Sequence, residues 1–242
     1  VIKIKESFDD KSKTYNKYYV FDEQIYEKEL FGDQYRNEMG NHWDLDGEKQ
    51  LNMLIDNGLK KDMNFLEIGC GYMRAGSHII NFLDPFKYYG IDVNKKSLII
   101  GVNNELYKKG LIDKITENNF LATDNFHINN FDIKFDMALA NSVFTFLPIE
   151  KLKMFLKDSY NSFNEKSKII ISFWIVEDSF DTSKPFEFSE ENYFSRTTYY
   201  NRPPYYTKIS DIEKSCDGLW KFKQINVFRY QLGQSFFLFE RL

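Results

Sequence analysis

The sequence predicts an α/β fold: a doubly wound, mainly parallel sheet of seven strands that ends in an antiparallel hairpin, with an N-terminal helical cap. Three observations carry this expectation. An apolar run at residues 64–68 passes through Gly69 and Gly71 directly into a helical pattern. Strand-like and helix-like runs then alternate as far as residue 173. Beyond residue 220, two β-rich runs flank Gly233 and read as a hairpin.

Residues 1–45 form the expected cap. They interleave charged and aromatic side chains without a clean period, and a short helix is expected at 22–30. Residues 46–57 carry Leu51, Leu54 and Ile55 at helical spacing, with Gly58 as a stop. Strand one is expected at 64–68, a helix at 75–83, strand two at 88–92 and a helix at 96–109 ended by Gly110. Strand three is expected at 114–117, then a polar loop to residue 130 and strand four at 135–140. Pro148 opens a helix over 149–163, which shows Leu152, Phe155, Leu156, Tyr160 and Phe163 at three-to-four spacing. Strand five follows at 168–173, and an insertion at 177–207 precedes the hairpin runs at 220–230 and 234–241.

The chain's 242 residues suit one domain, 1–242, with a substantial core. A net charge of −4 argues against a nucleic-acid partner. No run is long and apolar enough to span a bilayer and no signal-peptide pattern is present, so no membrane partner is expected. Cys70 and Cys216 lie far apart in the chain, which argues for free thiols and a cytoplasmic setting. No metal-ligand spacing is found. An aromatic content of 18% calls for a core, an acceptor pocket or a homodimer contact to hold it.

A strand, a glycine turn and a helix start allow backbone amides to approach a nucleotide-like ligand. About twenty residues on, Asp92 ends the second strand, placed to accept from ribose hydroxyls. A dinucleotide and S-adenosylmethionine both fit that outline. The dinucleotide fingerprint wants Gly or Ala where this chain has Arg74, and Glu67 before the glycines would repel a pyrophosphate. Glu67 suits a ligand with a free ammonium and a sulfonium instead. Arg74 opens a helix, where the helix dipole disfavours a cation, unless it meets the ligand's carboxylate or a neighbouring acid.

Glu67-x-Gly69-x-Gly71 followed by Asp92 resembles the class I S-adenosylmethionine-dependent methyltransferases, whose sheet also ends in an antiparallel hairpin. The chain is further similar to a bacterial small-molecule branch of that family. That branch has a Trp-Asp segment before the leading helix, Gly-Cys-Gly-x-x-Arg-x-Gly at the turn and Ser-Val-Phe-Thr-His-Leu after the fourth strand. Here His42-Trp43-Asp44, the run from Gly69 to Gly76 and the run from Ser142 to Leu147 match, over residues 41–173. Phe146 stands in place of the branch's histidine.

The resemblance implies S-adenosyl-L-methionine as cofactor, held by Trp43, Glu67, Gly69, Cys70, Gly71, Arg74, Asp92 and Val93. It also places Asn118, Asn119 and Phe120 near the adenine, and Asn141 and Ser142 after the fourth strand. Methyl transfer needs alignment and exclusion of water, and a hydroxyl acceptor benefits from a general base. His42 is the candidate base, with Asp44 a base or a helix cap; His78 is expected in the core or at its edge and His127 in solvent. The acceptor wall is expected in 177–207, where Arg196, Tyr199, Tyr200, Arg202 and Tyr205, with Tyr193 and Phe194, suit a sugar or phosphorylated small molecule. The implied acceptor is a small-molecule hydroxyl of surface-polysaccharide synthesis. An amine such as an amino alcohol phosphate is the alternative, as is a non-catalytic cofactor-binding subunit.

Overall fold

The structure, a computed structural model, describes residues 2–8, 35–36, 42–190, 194–226 and 233–242. The helix expected at 22–30 lies outside the described residues, as does Tyr193. Contacts divide the chain into two compact units, Val1–Asp132 and Ile133–Leu242.

The first unit contains β1 (Lys5–Ser7), α1 (Trp43–Asp56), β2 (Phe65–Ile68), α2 (Arg74–Phe82), β3 (Tyr88–Asp92), α3 (Lys95–Ile100) and β4 (Phe120–Thr123). The strands run in the order β1-β4-β3-β2, every pair parallel. All four residues of β2 and of β4 are buried, as a sheet covered on both faces requires. Gly47 lets α1 close on α2: a Cβ there would stand 2.5 Å from the Arg74 carbonyl oxygen and 2.6 Å from the His78 ring. Gly58 takes φ 105° just past the end of α1, the left-handed step that the sequence pattern predicts.

The helix expected at 96–109 is α3 followed by a wide π-type turn, Gly101–Leu106. Gly101 faces the glycine turn, and a Cβ there would lie 2.8 Å from both the Met73 side chain and the Tyr72 backbone.

Strand three is displaced from its expected position. Residues 114–117 are not a strand: Thr116 caps a short 3-10 turn, Glu117–Asn119, through a capping box with Asn119, and the strand begins at Phe120.

The second unit contains β5 (Phe135–Ala140), α4 (Ile149–Asp158), β6 (Phe163–Val176), β7 (Phe186–Glu190), β8 (Phe194–Thr198), β9 (Tyr206–Lys208), α5 (Ile209–Cys216), β10 (Trp220–Ile225) and β11 (Ser235–Arg241). β5 and β6 are parallel, whereas β11 joins β6 and β10 joins β11 antiparallel, which is the expected terminal hairpin. Residues 227–232 of that hairpin lie outside the described residues. Together, β4-β3-β2 of the first unit and β5-β6-β11-β10 of the second supply the seven strands expected. β1, β9 and a separate β7–β8 hairpin are additions. The helix expected over 149–163 stops at Asp158, and β6 starts early, at Phe163.

Candidate functional site

Three parallel strands of the first unit end side by side, and their carboxyl ends carry its polar groups. Gly69 and Gly71 follow β2 with φ of 72° and 48°, values that favour glycine. The amides of Gly69 and Cys70 both donate to the Ile91 carbonyl, at 2.8 and 3.2 Å. The next amide, of Gly71, donates to Asp92 Oδ2 at 2.8 Å. Asp92 Oδ1 accepts from the Asn94 amide at 2.7 Å, and the Val93 amide also bonds this carboxylate. Burial raises the Asp92 pKa, and these three amides oppose that rise by favouring the anion. The glycine turn and the acid at the tip of β3 are therefore one bonded unit.

Glu67 is buried, with its carboxyl group under α2. Its Oε2 accepts from the Tyr88 hydroxyl at 2.6 Å, and only glycine fits above it: a Cβ on Gly76 would lie 2.6 Å from the Tyr88 oxygen and 3.1 Å from Glu67 Oε2. Burial pushes the Glu67 pKa up to about 8, Tyr88 and Arg74 pull it back, and Asp92 adds to the rise. Cys70 contributes its backbone to the turn, while its thiol is buried beneath β3, where Gly90 makes room for it. Arg74 meets a neighbouring acid, Asp46, at 3.9 Å.

Trp43 packs against Tyr35 at 5.5 Å, and Tyr35 packs on Tyr72 of the glycine turn at 5.3 Å. The Trp43 indole N–H is directed to Glu105, 3.3 Å away. Glu105 is a fully buried carboxylate that sequence reasoning missed. It also accepts from the Tyr35 hydroxyl at 2.8 Å and from Arg36 at 2.8 and 3.0 Å, and it lies 3.3 Å from the Lys109 ammonium. The donors come from distant parts of the chain, so no local motif announces them.

The assignments of Asn118, Asn119 and Phe120 to the adenine are corrected. With β4 starting at Phe120, these residues sit at its amino end, away from the glycine turn's level. Asn118 accepts from Lys5, Asn119 is buried and donates to the Tyr88 carbonyl at 2.8 Å, and Phe120 packs in the core against Tyr88 at 6.0 Å. At the carboxyl end the first residue past β4 is Asp124, two places beyond Ala122, which pairs with Asp92. An acid directly after an apolar run was its signal, as it was for Asp92.

Of the proposed bases, His42 is exposed and precedes α1 without capping it. Asp44 lies in the first turn of α1 and is not its cap. It pairs with Lys109 at 2.8 Å, which holds its carboxyl below the usual range and weakens it as a base. His78 is half-buried, 3.4 Å from Asp44, and burial lowers its pKa. His127 is half-buried rather than solvated and bonds the Ser7 hydroxyl at 2.8 Å.

In the second unit, Ser142, two residues past the end of β5, has φ 58°. Its amide donates to Ser172 Oγ at 2.7 Å, and its hydroxyl meets Gln234 at 3.0 Å and the Asn141 amide oxygen at 3.5 Å. Phe146 is exposed and packs edge-on to Trp174. The aromatic insertion is ordered in part by β7 and β8. Arg196 lies exposed on β8, opposite Phe188. Arg202 stacks over the Tyr199 ring at 3.8 Å, Tyr200 donates to Asp211 at 3.1 Å, and the Tyr205 amide donates to the Thr145 carbonyl at 2.7 Å.

Among the described residues no group of three or more His, Cys, Asp or Glu is placed to hold a metal ion, and no helix is long and apolar enough to cross a membrane.

No protein-family profile matches the chain, and no curated protein sequence matches it. Solved structures do. Magnesium protoporphyrin IX methyltransferase (ChlM) from Synechocystis PCC 6803 with bound SAM is 15% identical, with TM-score 0.60 over 98% of this chain and 99% of that one. An S-adenosylmethionine-dependent methyltransferase from Clostridium acetobutylicum ATCC 824 is also 15% identical, with TM-score 0.56 over 94% of this chain and 99% of that one. TrmN from Thermus thermophilus is 14% identical, with TM-score 0.53 over 80% of this chain and 48% of that one. The chain thus has the Rossmann-like methyltransferase fold.

Proposed function

We propose that this chain is an S-adenosylmethionine-dependent methyltransferase acting on a small polar acceptor. The observation that carries the proposal is the bond between Asp92 and the Gly71 amide, which joins the ribose-type acid to the glycine turn. The donor set fits the cofactor chemically. Asp92 keeps acceptor capacity for ribose hydroxyls, and Glu67 would supply negative charge for an ammonium by giving up its proton as that group approaches. Asp124 stands at the next strand tip for the base.

Bound S-adenosylmethionine would supply a methyl group on a sulfonium, a leaving group already activated. The residues then have to bind, orient and exclude water. Asp92 and the glycine turn would fix the nucleoside, and Trp43, Tyr35 and Tyr72 would keep that end of the site dry. Val93, Asn141 and Ser142 stay in the proposed cofactor set.

The acceptor we favour is a sugar or sugar-phosphate hydroxyl of surface-polysaccharide synthesis in a bacterial cytoplasm. Arg196, Tyr199, Tyr200, Arg202 and Tyr205 would contact it, and His42 would take its proton. A small amine is the second reading. Phe146 replaces a histidine of the resembled branch, and an amine needs only to lose a proton. A homodimer is proposed as one use of the exposed aromatic residues, and a non-catalytic cofactor-binding subunit is the remaining alternative.

Calorimetric titration with S-adenosylhomocysteine tests the cofactor: saturable binding is expected, with none for NAD, and the reverse result rejects the proposal. Turnover with hydroxyl and amine acceptors separates the two acceptor classes. Loss of turnover in His42→Ala with cofactor binding intact supports a hydroxyl. Binding without turnover on any acceptor points to the idle subunit.

A further inference from the structure

The second unit holds a cleft of about 280 Å³ whose walls include Pro148, Glu150, Tyr200, Tyr205, Tyr206 and Asp211. Three tyrosines and two acidic residues contribute to this lining, and among the described residues no lysine or arginine does. The arginines expected to clamp a phosphate are engaged elsewhere, Arg202 over the Tyr199 ring and Arg196 out on β8.

The walls are preorganised. Tyr206 is buried, and its hydroxyl donates to the Lys184 carbonyl at 3.0 Å. The Tyr205 amide is fixed to the Thr145 carbonyl, and the Tyr206 amide to the Tyr199 carbonyl at 3.0 Å. Tyr200 and Tyr206 pack on one another with ring centres 5.9 Å apart and planes at 40°, which holds the partly exposed Tyr200 ring in place. Asp211 is held in place by the Tyr200 hydroxyl on Oδ2, and its other oxygen is 4.0 Å from Lys214. That lysine is largely in solvent, where water screens its charge.

An anion entering this cleft would face two carboxylates with no cation among the described lining residues to answer it. A neutral polar ligand would gain little from the charges. A cation would gain from both carboxylates and from the half-buried Tyr200 and Tyr205 rings. We propose that this cleft binds a small organic cation, a quaternary or primary ammonium compound. The inference is confined to residues of the second unit and does not rest on the cofactor reading; because Tyr200 and Tyr205 also belong to the proposed acceptor wall, it favours the amine acceptor over a sugar phosphate there.

Choline and 3,3-dimethylbutan-1-ol, its uncharged isostere, provide the test. Each is titrated into the full chain by NMR, with inorganic phosphate as the anionic probe. Choline is expected to saturate one site with a Kd about tenfold below that of the alcohol, the advantage a cation gains over aromatic faces and carboxylates. Phosphate is expected neither to bind there nor to compete. Glu150→Gln, at an exposed position, should weaken choline about threefold, and Asp211→Asn should weaken it further. Retained S-adenosylhomocysteine binding in both variants would show that the cleft is not the cofactor's. Equal binding of choline and the alcohol, absence of choline binding, competition by phosphate, or affinity unmoved by Glu150→Gln would each overturn the proposal. Should Asp211→Asn not fold, Glu150→Gln and the isostere comparison still decide it.

Discussion

Asp92 Oδ2 sits 2.8 Å from the backbone nitrogen of Gly71, so the acid that ends β3 is part of the turn that follows β2. Asp92→Asn would set an amide N–H₂ or a weaker, neutral acceptor against three donating amides. A charged acceptor is worth about 1.5–3 kcal/mol more than none. S-adenosylhomocysteine affinity is expected to fall about tenfold to a hundredfold by calorimetry. Unchanged affinity would remove Asp92 from the site.

Glu67 is expected to make ligand binding release a proton near pH 7. With its pKa pushed up to about 8 it carries a proton at neutral pH, and an ammonium brought close would favour the anion. The binding enthalpy should then depend on the ionisation enthalpy of the buffer, and Glu67→Gln should abolish that dependence.

The same group links stability to pH. An acid with its folded pKa above its unfolded value of 4.5 holds its proton more tightly in the native state. That advantage is complete below about 4.5 and is lost as pH rises through about 8. Denaturant titrations across pH 5 to 8 should show a decline of at most about 1.4 kcal/mol per pH unit from this group. Glu67→Gln should flatten it.

Glu105→Ala should destabilise the chain by about 3–5 kcal/mol, because it leaves Arg36 and the Tyr35 and Trp43 donors without their buried acceptor. Urea unfolding measures the loss. A change below about 1 kcal/mol would mean that this carboxylate does not organise its surroundings.

Gly90→Ala should cost about 1–3 kcal/mol by overpacking, since the new Cβ would stand 2.8 Å from Cys70 Sγ and 3.3 Å from the Tyr88 and Phe120 rings. Cys70→Ala in the same chain removes the nearest obstacle. A double-mutant cycle by thermal unfolding should therefore show the pair less destabilising than the sum of its parts.

The strands that proved legible in the sequence were those bounded by conformational punctuation. Gly69 closes β2, Asp92 closes β3, and β5 runs into Asn141, so apolar run and chain reversal coincide. β4 was not legible, because Phe120–Thr123 is only four residues long and the capping of Thr116 by Asn119 turned the preceding stretch into a 3-10 turn. The error carried over to the site, moving the expected adenine contacts to the wrong end of the strand and hiding Asp124. α5 is not announced in the sequence although Ile209, Ile212 and Cys216 share helical spacing, because it is only eight residues long and falls between the insertion expected to end at 207 and the hairpin expected from 220. Glu105 had no readable signal, since a carboxylate within an apolar helical run looks like a solvated position until the fold brings donors from residues 35, 36 and 43 to it.

The wide turn Gly101–Leu106 gives the chain a sensitive phase. A residue added to or removed from a helix rotates everything beyond it by about 100°, and a π-type turn behaves as such an inserted residue. Deleting one position between 101 and 104 would swing Glu105 off its interior bearing and present Leu106 to Arg36 instead. Length polymorphism at this spot would thus disable the glycine-turn end of the fold more thoroughly than most substitutions, whereas residues gained or lost around Gly110, where an added Cβ meets nothing within 4 Å, should be absorbed.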